Sequence, residues 1–494
     1  MSVAPMAVQF KRSERLQEVA RLLAQELRVA LGEGPRELMG MEQGAQQLAR
    51  VVMGMVMEEM ANEPAAALPQ SCEGCGGPAR VVERGRPRVV HGVVGSWVVR
   101  RRYLYCARCK HGFAPWDRVL ALGVGRFSPL MERAMSRAAI EVAFAEAASL
   151  VGDLTGTVVA DEEVRRVAEG LGSVAEGEEQ ARASVVARSE RLEPGPCLSD
   201  TLVIEADGCM EHVDGDWHEV KVGLVAPLGE QLVMDERAGR LRRVVLGAHY
   251  VAGVRETPDA FFARLYAQAT ALGLGQRGLG HVVALGDGAE WIWQGMDGFF
   301  DVPGVELVTI VDVYHAREHL WEIANAVYGR DTAKARAWAE RWGERLVAEG
   351  PKPLLRALAR LRAKTVEGCQ AVRLGRGYFE ARQDRMRYPE YVRAHLPIGS
   401  GMVESECKTL IQGRQKQAGM RWRRPGSQAI ATLRARHRSG EWERFWASAP
   451  HRRRPPARHP NHVRAHDTTI VGCTRTSAAP CRRRAPALCS APTP

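Results

Sequence analysis

Hydrophobic and polar positions follow two different patterns in the N-terminal part of the chain. In residues 1–65, apolar side chains recur at helical spacing, as at Leu16, Val19, Leu22 and Leu23, which predicts an N-terminal helical region. Residues 66–120 instead contain short β-branched runs broken by glycine and proline, a pattern typical of antiparallel strands. We therefore expect helices followed by a β module.

Helical spacing returns in residues 121–192, in three segments at 129–140, 143–150 and 162–171. Three short helices joined by short breaks are typical of a helix-turn-helix DNA-binding domain, whose last helix would begin at a cap such as Asp161. A small helical bundle without any DNA function gives the same pattern. The sequence leaves both interpretations open.

From residue 198 onward, buried strand patterns alternate with helices. Three strands, a helix, a fourth strand, a second helix and a fifth strand follow one another. This is the order of a ribonuclease H-like fold, so we expect an α/β core built on a mixed five-stranded sheet with helices. The first part of the core would cover residues 198–330 and the second part residues 397–446, separated by an all-helical insertion at 331–396.

Four of the eleven cysteines form two identical pairs. Cys72 and Cys75, and then Cys106 and Cys109, each enclose two residues. Two such pairs at the tips of hairpins can place four thiolates around one tetrahedral Zn²⁺. The spacing predicts a zinc-ribbon-like module with a structural zinc ion. The alternative is two unrelated pairs of buried cysteines.

The net charge of +11 is concentrated towards the C-terminal end. Residues 447–494 contain nine Arg and one Asp and lack periodic apolar positions, which predicts a disordered basic tail. Residues 397–446 contain ten Lys or Arg and four Glu, whereas residues 1–396 carry a slight acidic excess. A surface for an anionic partner is therefore expected near the C-terminal end.

The opening residues contain no long apolar segment, since Phe10-Lys11-Arg12 interrupts the first apolar stretch. No signal peptide is therefore predicted, and no stretch reaches the ~18 apolar residues of a membrane span. We expect a cytoplasmic protein with no membrane partner.

Two of the predicted core strands end in the same dipeptide. Asp207-Gly208 follows the first strand and Asp287-Gly288 the fourth, and the strand order places these two ends side by side. Glu404 lies at the start of a later helix. Three carboxylates at one sheet edge offer the oxygen ligands that two Mg²⁺ ions need in phosphodiester chemistry. Taken singly, such aspartates are also typical of turns and such a glutamate of a first helical turn.

Several blocks of this region resemble a known family. They are Leu285-Gly-Asp-Gly-Ala-Glu-Trp-Ile-Trp293, Asp312-Val-Tyr-His-Ala-Arg-Glu-His-Leu-Trp321, Gly399-Ser-Gly-Met-Val-Glu-Ser405 and Gly419-Met-Arg-Trp422. Together they resemble the DDE transposases of bacterial insertion sequences, in particular the ISKra-type group with its Mutator-like layout. The resemblance extends to the cysteine module. It implies an RNase H-like core with Asp207, Asp287 and Glu404 as the catalytic triad.

The resemblance also implies an activity and partners. The activity is Mg²⁺-dependent cleavage of DNA strands at element ends, followed by strand transfer into target DNA. The partner is double-stranded DNA, bound by a homo-oligomer in a bacterial, nucleoid-associated setting. Asp312 and His315 match a motif that Mutator-like transposases carry after the second aspartate, so we expect them to support the active site or to contact DNA.

Basic residues follow the predicted third carboxylate, with Trp422 either among them or in the core. They are placed to hold DNA phosphates beside the triad: Lys408, Arg414, Lys416, Arg421, Arg423 and Arg424. His315 and His319 are four residues apart on one helix face, a spacing that also suits zinc ligands. Glu406 competes with Glu404 for the third position, but two residues along a helix it would face another side.

Two other functions fit the same sequence. A metal-dependent nuclease that cuts without joining would use the same three carboxylates. A non-catalytic, zinc-containing DNA-binding protein would use only the cysteine module and the three helices that follow it.

Overall fold

The computed structural model describes residues 13–32, 37–62, 70–72, 74–188, 190, 192–236 and 239–452. Within them the chain is a mixed α/β protein with a three-stranded and a six-stranded sheet, and helices cover both faces of the larger sheet. Most of the predicted basic tail, from residue 453 onward, lies outside the described residues. None of the described helices combines the length and apolar character of a membrane span.

The N-terminal part combines helices with an antiparallel ribbon. Its elements are α1 (Glu14–Leu31), α2 (Leu38–Asn62), β1 (Arg80–Gly92), β2 (Gly95–Cys106), β3 (His111–Phe113) and α3 (Pro115–Val119). β1 and β2 form a hairpin in which Gly92 lies opposite Gly95. α2 packs along this hairpin, where Asn62 donates to the Val98 carbonyl and Glu58 accepts from the Val98 amide. The helical and strand-like patterns of this part therefore correspond to the observed elements.

Three helices follow the ribbon: α4 (Pro129–Ala139), α5 (Phe144–Thr155) and α6 (Asp161–Ala187). α6 has 27 residues and extends well beyond the predicted end at residue 171. The three helices share one hydrophobic core with the large sheet. The first turn of α6 carries Asp161, Glu162 and Glu163, whose charges disfavour contact with DNA phosphates. The geometry thus favours a helical bundle packed on the core over a separate helix-turn-helix domain.

The larger sheet consists of β4 (Thr201–Val213), β5 (Asp216–Asp235), β6 (Arg240–Val245), β7 (His249–Val254), β8 (His281–Gly286) and β9 (Glu306–Val311). Its order is β7, β5, β4, β8, β9, and the last residues of β5 pair with β6. β4, β8 and β9 are parallel to one another, whereas the other pairs are antiparallel.

The prediction of five strands was wrong by one. The third predicted strand is two strands, β6 and β7, because the chain leaves the sheet at Gly247, where φ is +86°. The Leu246 amide donates to the Pro227 carbonyl at 2.9 Å and so holds this break against β5.

Helices pack on both faces of the sheet. On the face that carries Ile204 and Ala206 lie α7 (Pro258–Ala271) and α8 (Glu290–Phe300). The opposite face, which carries Val203 and Leu285, is covered by helices on and around the predicted insertion. These are α9 (Val313–Tyr328), α10 (Ala333–Glu349), α11 (Pro351–Arg360), α12 (Val366–Arg382) and α13 (Tyr388–Arg393). The insertion is helical, and its apolar side chains pack against this face of the sheet in a shared hydrophobic core.

The chain then returns to the same face of the sheet. It forms α14 (Gly401–Glu406), a π-helical segment (Cys407–Gln412), α15 (Gly413–Gln415), α16 (Arg424–Arg438) and α17 (Trp442–Arg452). The predicted start of the disordered tail at residue 447 was wrong, since α17 continues to Arg452. Phe445 and Trp446 anchor this helix in the hydrophobic core.

Candidate active site and cysteine cluster

Asp207 and Asp287 both lie just past the last parallel pair of β4 and β8, but only Asp287 follows the end of its strand. β4 continues through Asp207 to Val213, so the prediction that the first strand ends at Asp207-Gly208 was wrong. The ladder between β4 and β8 pairs Glu205 with Leu285, and each aspartate follows two residues later. Each carboxylate also accepts a hydrogen bond from a nearby backbone amide. The Gly208 amide donates to Asp207 at 2.7 Å, and the Ala289 amide donates to Asp287 at 2.8 Å. Residues 80 positions apart in the sequence thus lie past the end of the same parallel ladder, and the charge of Asp287 acts on Asp207.

The environment of Asp207 links it electrostatically to both other predicted carboxylates. Burial raises the pKa of Asp207, and the charges of Asp287 and Glu404 raise it further. The Cys407 thiol donates to Asp207 at a sulfur–oxygen distance of 3.6 Å. Asp207 is partly buried and close to two other carboxylates, so its charged form is disfavoured unless a cation binds nearby.

Glu404 lies in the first turn of α14, but its carboxylate points outward. It accepts a hydrogen bond from the Lys408 ammonium at 2.7 Å, and 57% of its side chain is exposed. Among the described residues, only four cysteines form a group of three or more potential ligands whose atoms all lie within 4.8 Å of one another. The three carboxylates are therefore neighbours without forming a closed ligand set.

Asp312 connects the end of β9 to the loop before Glu404. It is buried and begins α9, where its carboxylate accepts from the Tyr314 amide at 2.6 Å. The same carboxylate accepts from both the amide and the hydroxyl of Ser400. Gly399 is required beside it, because a Cβ there would lie 2.6 Å from the Tyr314 ring. Asp312 thus positions the start of α14.

The helical insertion contributes two side chains that the sequence did not reveal. From α12, the Tyr378 hydroxyl donates to the Asp287 carbonyl at 3.3 Å, and Arg382 donates to the Gly288 carbonyl at 2.8 Å. Gly288 has φ +106°, which favours glycine at this turn. No spacing rule connects residues 91 positions apart, so only the fold shows that α12 holds the second aspartate's turn.

His315 and His319 lie next to Tyr378 rather than in a metal site. Their rings are 4.9 Å apart, and the His319 ring is 3.9 Å from the Tyr378 ring. His319 pairs with Glu322 at 2.9 Å, while burial lowers its pKa. Neither histidine belongs to a group of three ligands within the part of the chain that the structure describes. Their contacts brace α9 against α12.

Glu205 is a third residue that the sequence did not single out. It lies fully buried on β4, two residues before Asp207 and on the same face. One carboxylate oxygen accepts from the Val403 amide at 2.9 Å, and the other has no hydrogen-bond partner. Burial raises its pKa to about 8. Glu205 therefore carries a proton at neutral pH.

Only some of the six basic residues predicted to hold DNA phosphates are exposed at the surface. Arg414 is 1% exposed, donates to the Ala139 carbonyl at 2.8 Å and lies over the Phe144 ring. Burial lowers its pKa to about 10. The prediction that it contacts DNA was therefore wrong. Arg424 is also engaged, since it pairs with Glu176 at 3.1 Å.

Four of the six predicted phosphate contacts remain exposed: Lys408, Lys416, Arg421 and Arg423. Trp422 belongs to the core, where its indole donates to the Gln415 carbonyl at 3.0 Å. Glu406 is buried and pairs with Arg438 at 2.6 Å. It therefore points towards α16, away from the carboxylate site.

The four predicted zinc ligands come together at one end of the ribbon. The sulfur atoms of Cys72 and Cys109 are 3.8 Å apart, and those of Cys75 and Cys106 are 3.6 Å apart. Cys106 is the last residue of β2, and the Cys72 turn is closed by a hydrogen bond from the Gly76 amide to its carbonyl at 2.8 Å. Four thiols at this spacing fit a metal such as zinc.

The chain was also compared with known proteins. No known family model matches it, and no match was found among the curated proteins.

Proposed function

We propose that this chain is a DDE transposase, an enzyme that cuts DNA strands at element ends and joins them to target DNA. The observation that carries the proposal is the position of Asp207 and Asp287, each two residues past the last parallel pair of β4 and β8, with the Glu404 charge acting on Asp207. The sheet order supports an RNase H-like core, because three antiparallel strands followed by two parallel ones place the first and fourth strands side by side.

The donor set suits hard cations. Asp207, Asp287 and Glu404 would hold two Mg²⁺ ions, since carboxylate oxygens are preferred ligands and Asp207 is destabilised as an anion without a cation. When bound, Mg²⁺ would supply positive charge at the attacking and leaving oxygens of a phosphodiester. To bind a metal ion, Glu404 would have to break its ion pair with Lys408. The Lys408 ammonium would then be available to a DNA phosphate.

Other residues of the chain position these groups. Asp312 holds the loop that begins α14, and Tyr378 and Arg382 hold the turn after β8. Exposed Lys416 and Arg423 follow α14 in the sequence and would contact the phosphate backbone. The cysteine cluster would hold a structural Zn²⁺ and so fix the ribbon.

The test is an assay on duplex DNA that carries the sequences flanking the gene, labelled at its 5′ ends, with Mg²⁺. We expect nicked strands and joined products. Asp207→Asn, Asp287→Asn and Glu404→Gln should each reduce both products by about a hundredfold or more. Asp301→Asn is the matched control, because Asp301 is exposed and lies outside the site.

The possible results separate the candidate functions. Nicks without joined products would favour a nuclease over a transposase. DNA binding with wild-type products in all three carboxylate variants would show that these carboxylates are not the catalytic groups.

A further inference from the structure

A cavity of about 350 Å³ lies beside the carboxylate site. Glu205 and Leu228 line it on the sheet, and Ile398 and Met402 line it on the segment that leads into α14. Its basic wall is formed by β6 and by the first turns of α9. The cavity is therefore built from the same elements that position Asp207 and Glu404, but from different side chains.

Three arginines face this cavity: Arg240, Arg242 and Arg317. Burial lowers the pKa of Arg240, and the charges of Arg242 and Arg317 lower it further, while Asp235 acts in the opposite sense. Arg242 lies 3.5 Å from Asp235. Two carboxyl groups, Asp235 and Glu205, thus share the cavity wall with three guanidinium groups, so the positive charges outnumber the negative ones.

Several polar atoms on the cavity wall lack partners. Nε and Nη1 of Arg240 and Nε of Arg317 are inaccessible to solvent and have no hydrogen-bond partner. One oxygen of Glu205 is in the same condition. Buried donors without acceptors are destabilising, because folding removes their hydration without replacing it. Because these atoms are closed to solvent, the guanidinium groups of Arg240 and Arg317 would rotate into the cavity to donate to the acceptor oxygens of a ligand.

We propose that this cavity binds a phosphate-bearing ligand of mononucleotide size, with the phosphate held by Arg240, Arg242 and Arg317. Guanidinium groups match phosphate oxygens in geometry as well as in charge. The volume lies at the lower end of the ~300 to 1,000 Å³ that is typical of small-molecule sites, and it exceeds the space that a bare anion needs.

The remaining wall suits the body of such a ligand. Leu228, Val245 and Ile398 supply apolar surface, and the Tyr314 ring, which is 41% exposed, lies at the wall for stacking against a base. The proposal concerns binding only and does not require the carboxylates to act on DNA.

The test is isothermal titration calorimetry of the full, zinc-loaded chain with deoxyadenosine 5′-monophosphate in a buffer without Mg²⁺, so that no Mg²⁺ is held by the carboxylates. We expect one site per chain. Deoxyadenosine and inorganic phosphate should each bind at least about tenfold more weakly, because each lacks half of the contacts. A 5′-phosphorylated single-stranded oligonucleotide that displaces the nucleotide would assign the site to a DNA strand, and failure to displace it would assign it to a free nucleotide.

Variants locate the ligand. Arg240→Gln and Arg317→Gln should each lower the affinity at least about tenfold, with thermal unfolding used to check that each variant is folded. Arg330→Gln is the matched control, since its side chain is 90% exposed and lies beyond the end of α9. Asp287→Asn should leave the affinity unchanged, which distinguishes this site from the proposed active site.

Three results would overturn the proposal. They are the absence of binding heat, equal affinity in the wild type and in folded Arg240→Gln and Arg317→Gln variants, and equal affinity for inorganic phosphate and the nucleotide.

Discussion

The two candidate metal sites differ in how far the protein assembles them by itself. In the cysteine cluster, all four sulfur atoms already lie within 4.8 Å of one another. In the carboxylate site, Asp207 and Asp287 both lie two residues past the last parallel pair of neighbouring strands, but Glu404 pairs with Lys408 at 2.7 Å. The first site is closed, and the second is open.

The chemistry of the ligands accounts for this difference. Thiols are mostly protonated at neutral pH, so four of them can approach without strong repulsion. Carboxylates are charged, and the raised pKa of Asp207 shows that burial and two neighbouring charges oppose ionisation there. An open carboxylate site is therefore the expected state before cations bind, whereas an open cysteine site would argue against zinc.

The largest expected effect is the loss of zinc from the closed site. The purified chain should contain about one zinc ion, measured by inductively coupled plasma mass spectrometry. Cys72→Ser and Cys106→Ser should each abolish this zinc and expose the ribbon to proteolysis, because metal binding and folding of such modules are coupled. Cys369→Ser is the control, since Cys369 is exposed and outside the cluster. An unchanged zinc content in the first two variants would contradict the assignment.

The same contrast explains what the sequence could predict. The cysteine pairs are joined by a single hairpin, so their spacing alone indicated one cluster, and the structure brings the four thiols together. The aspartates required the correct strand order, which the alternation of strands and helices supplied. The residue pattern around Gly247 does not indicate that its φ is +86°, so the break between β6 and β7 was missed.

The remaining misses arose from tertiary contacts. Arg414 occurs in a basic segment, but its burial depends on Phe144 and the Ala139 carbonyl, more than 260 positions earlier. The sequence around Tyr378 predicts only a helix, and the contact of Tyr378 with Asp287 depends on the fold. Charge runs and helical periodicity describe one element at a time and carry no information about which side chain meets which strand end.

A smaller effect should appear in the pH dependence of the free energy of unfolding, through Glu205 beside the open site. In the unfolded state the pKa of Glu205 is ~4.3, whereas burial raises its pKa in the folded state to about 8. Between these values the folded state retains a proton that the unfolded state has lost, so stability falls as the pH rises. The expected loss is of the order of 1 kcal/mol per pH unit, and it should cease above pH ~8.

Glu205→Gln tests this directly. The amide keeps the shape and an acceptor for the Val403 amide, but it does not titrate. Urea unfolding at pH 5.5 and pH 8 should therefore show a smaller loss of stability in Glu205→Gln than in the wild type. Glu344→Gln, at an exposed position on α10, is the control and should retain the wild-type difference. Parallel pH profiles for the wild type and Glu205→Gln would show that Glu205 is already ionised in the folded state.

The smallest effect concerns how α12 supports the open site. Tyr378→Phe removes one hydrogen bond, to the Asp287 carbonyl, and Tyr391→Phe removes one of the same 3.3 Å length, to the Thr309 carbonyl on β9. Each should lower the free energy of unfolding by about 1 kcal/mol. We expect Mg²⁺ to raise the melting temperature if it binds the proposed site. Only Tyr378→Phe should also weaken this rise, because only Tyr378 holds the turn of a proposed metal ligand. If both variants kept the wild-type response to Mg²⁺, α12 would stabilise the fold without positioning Asp287.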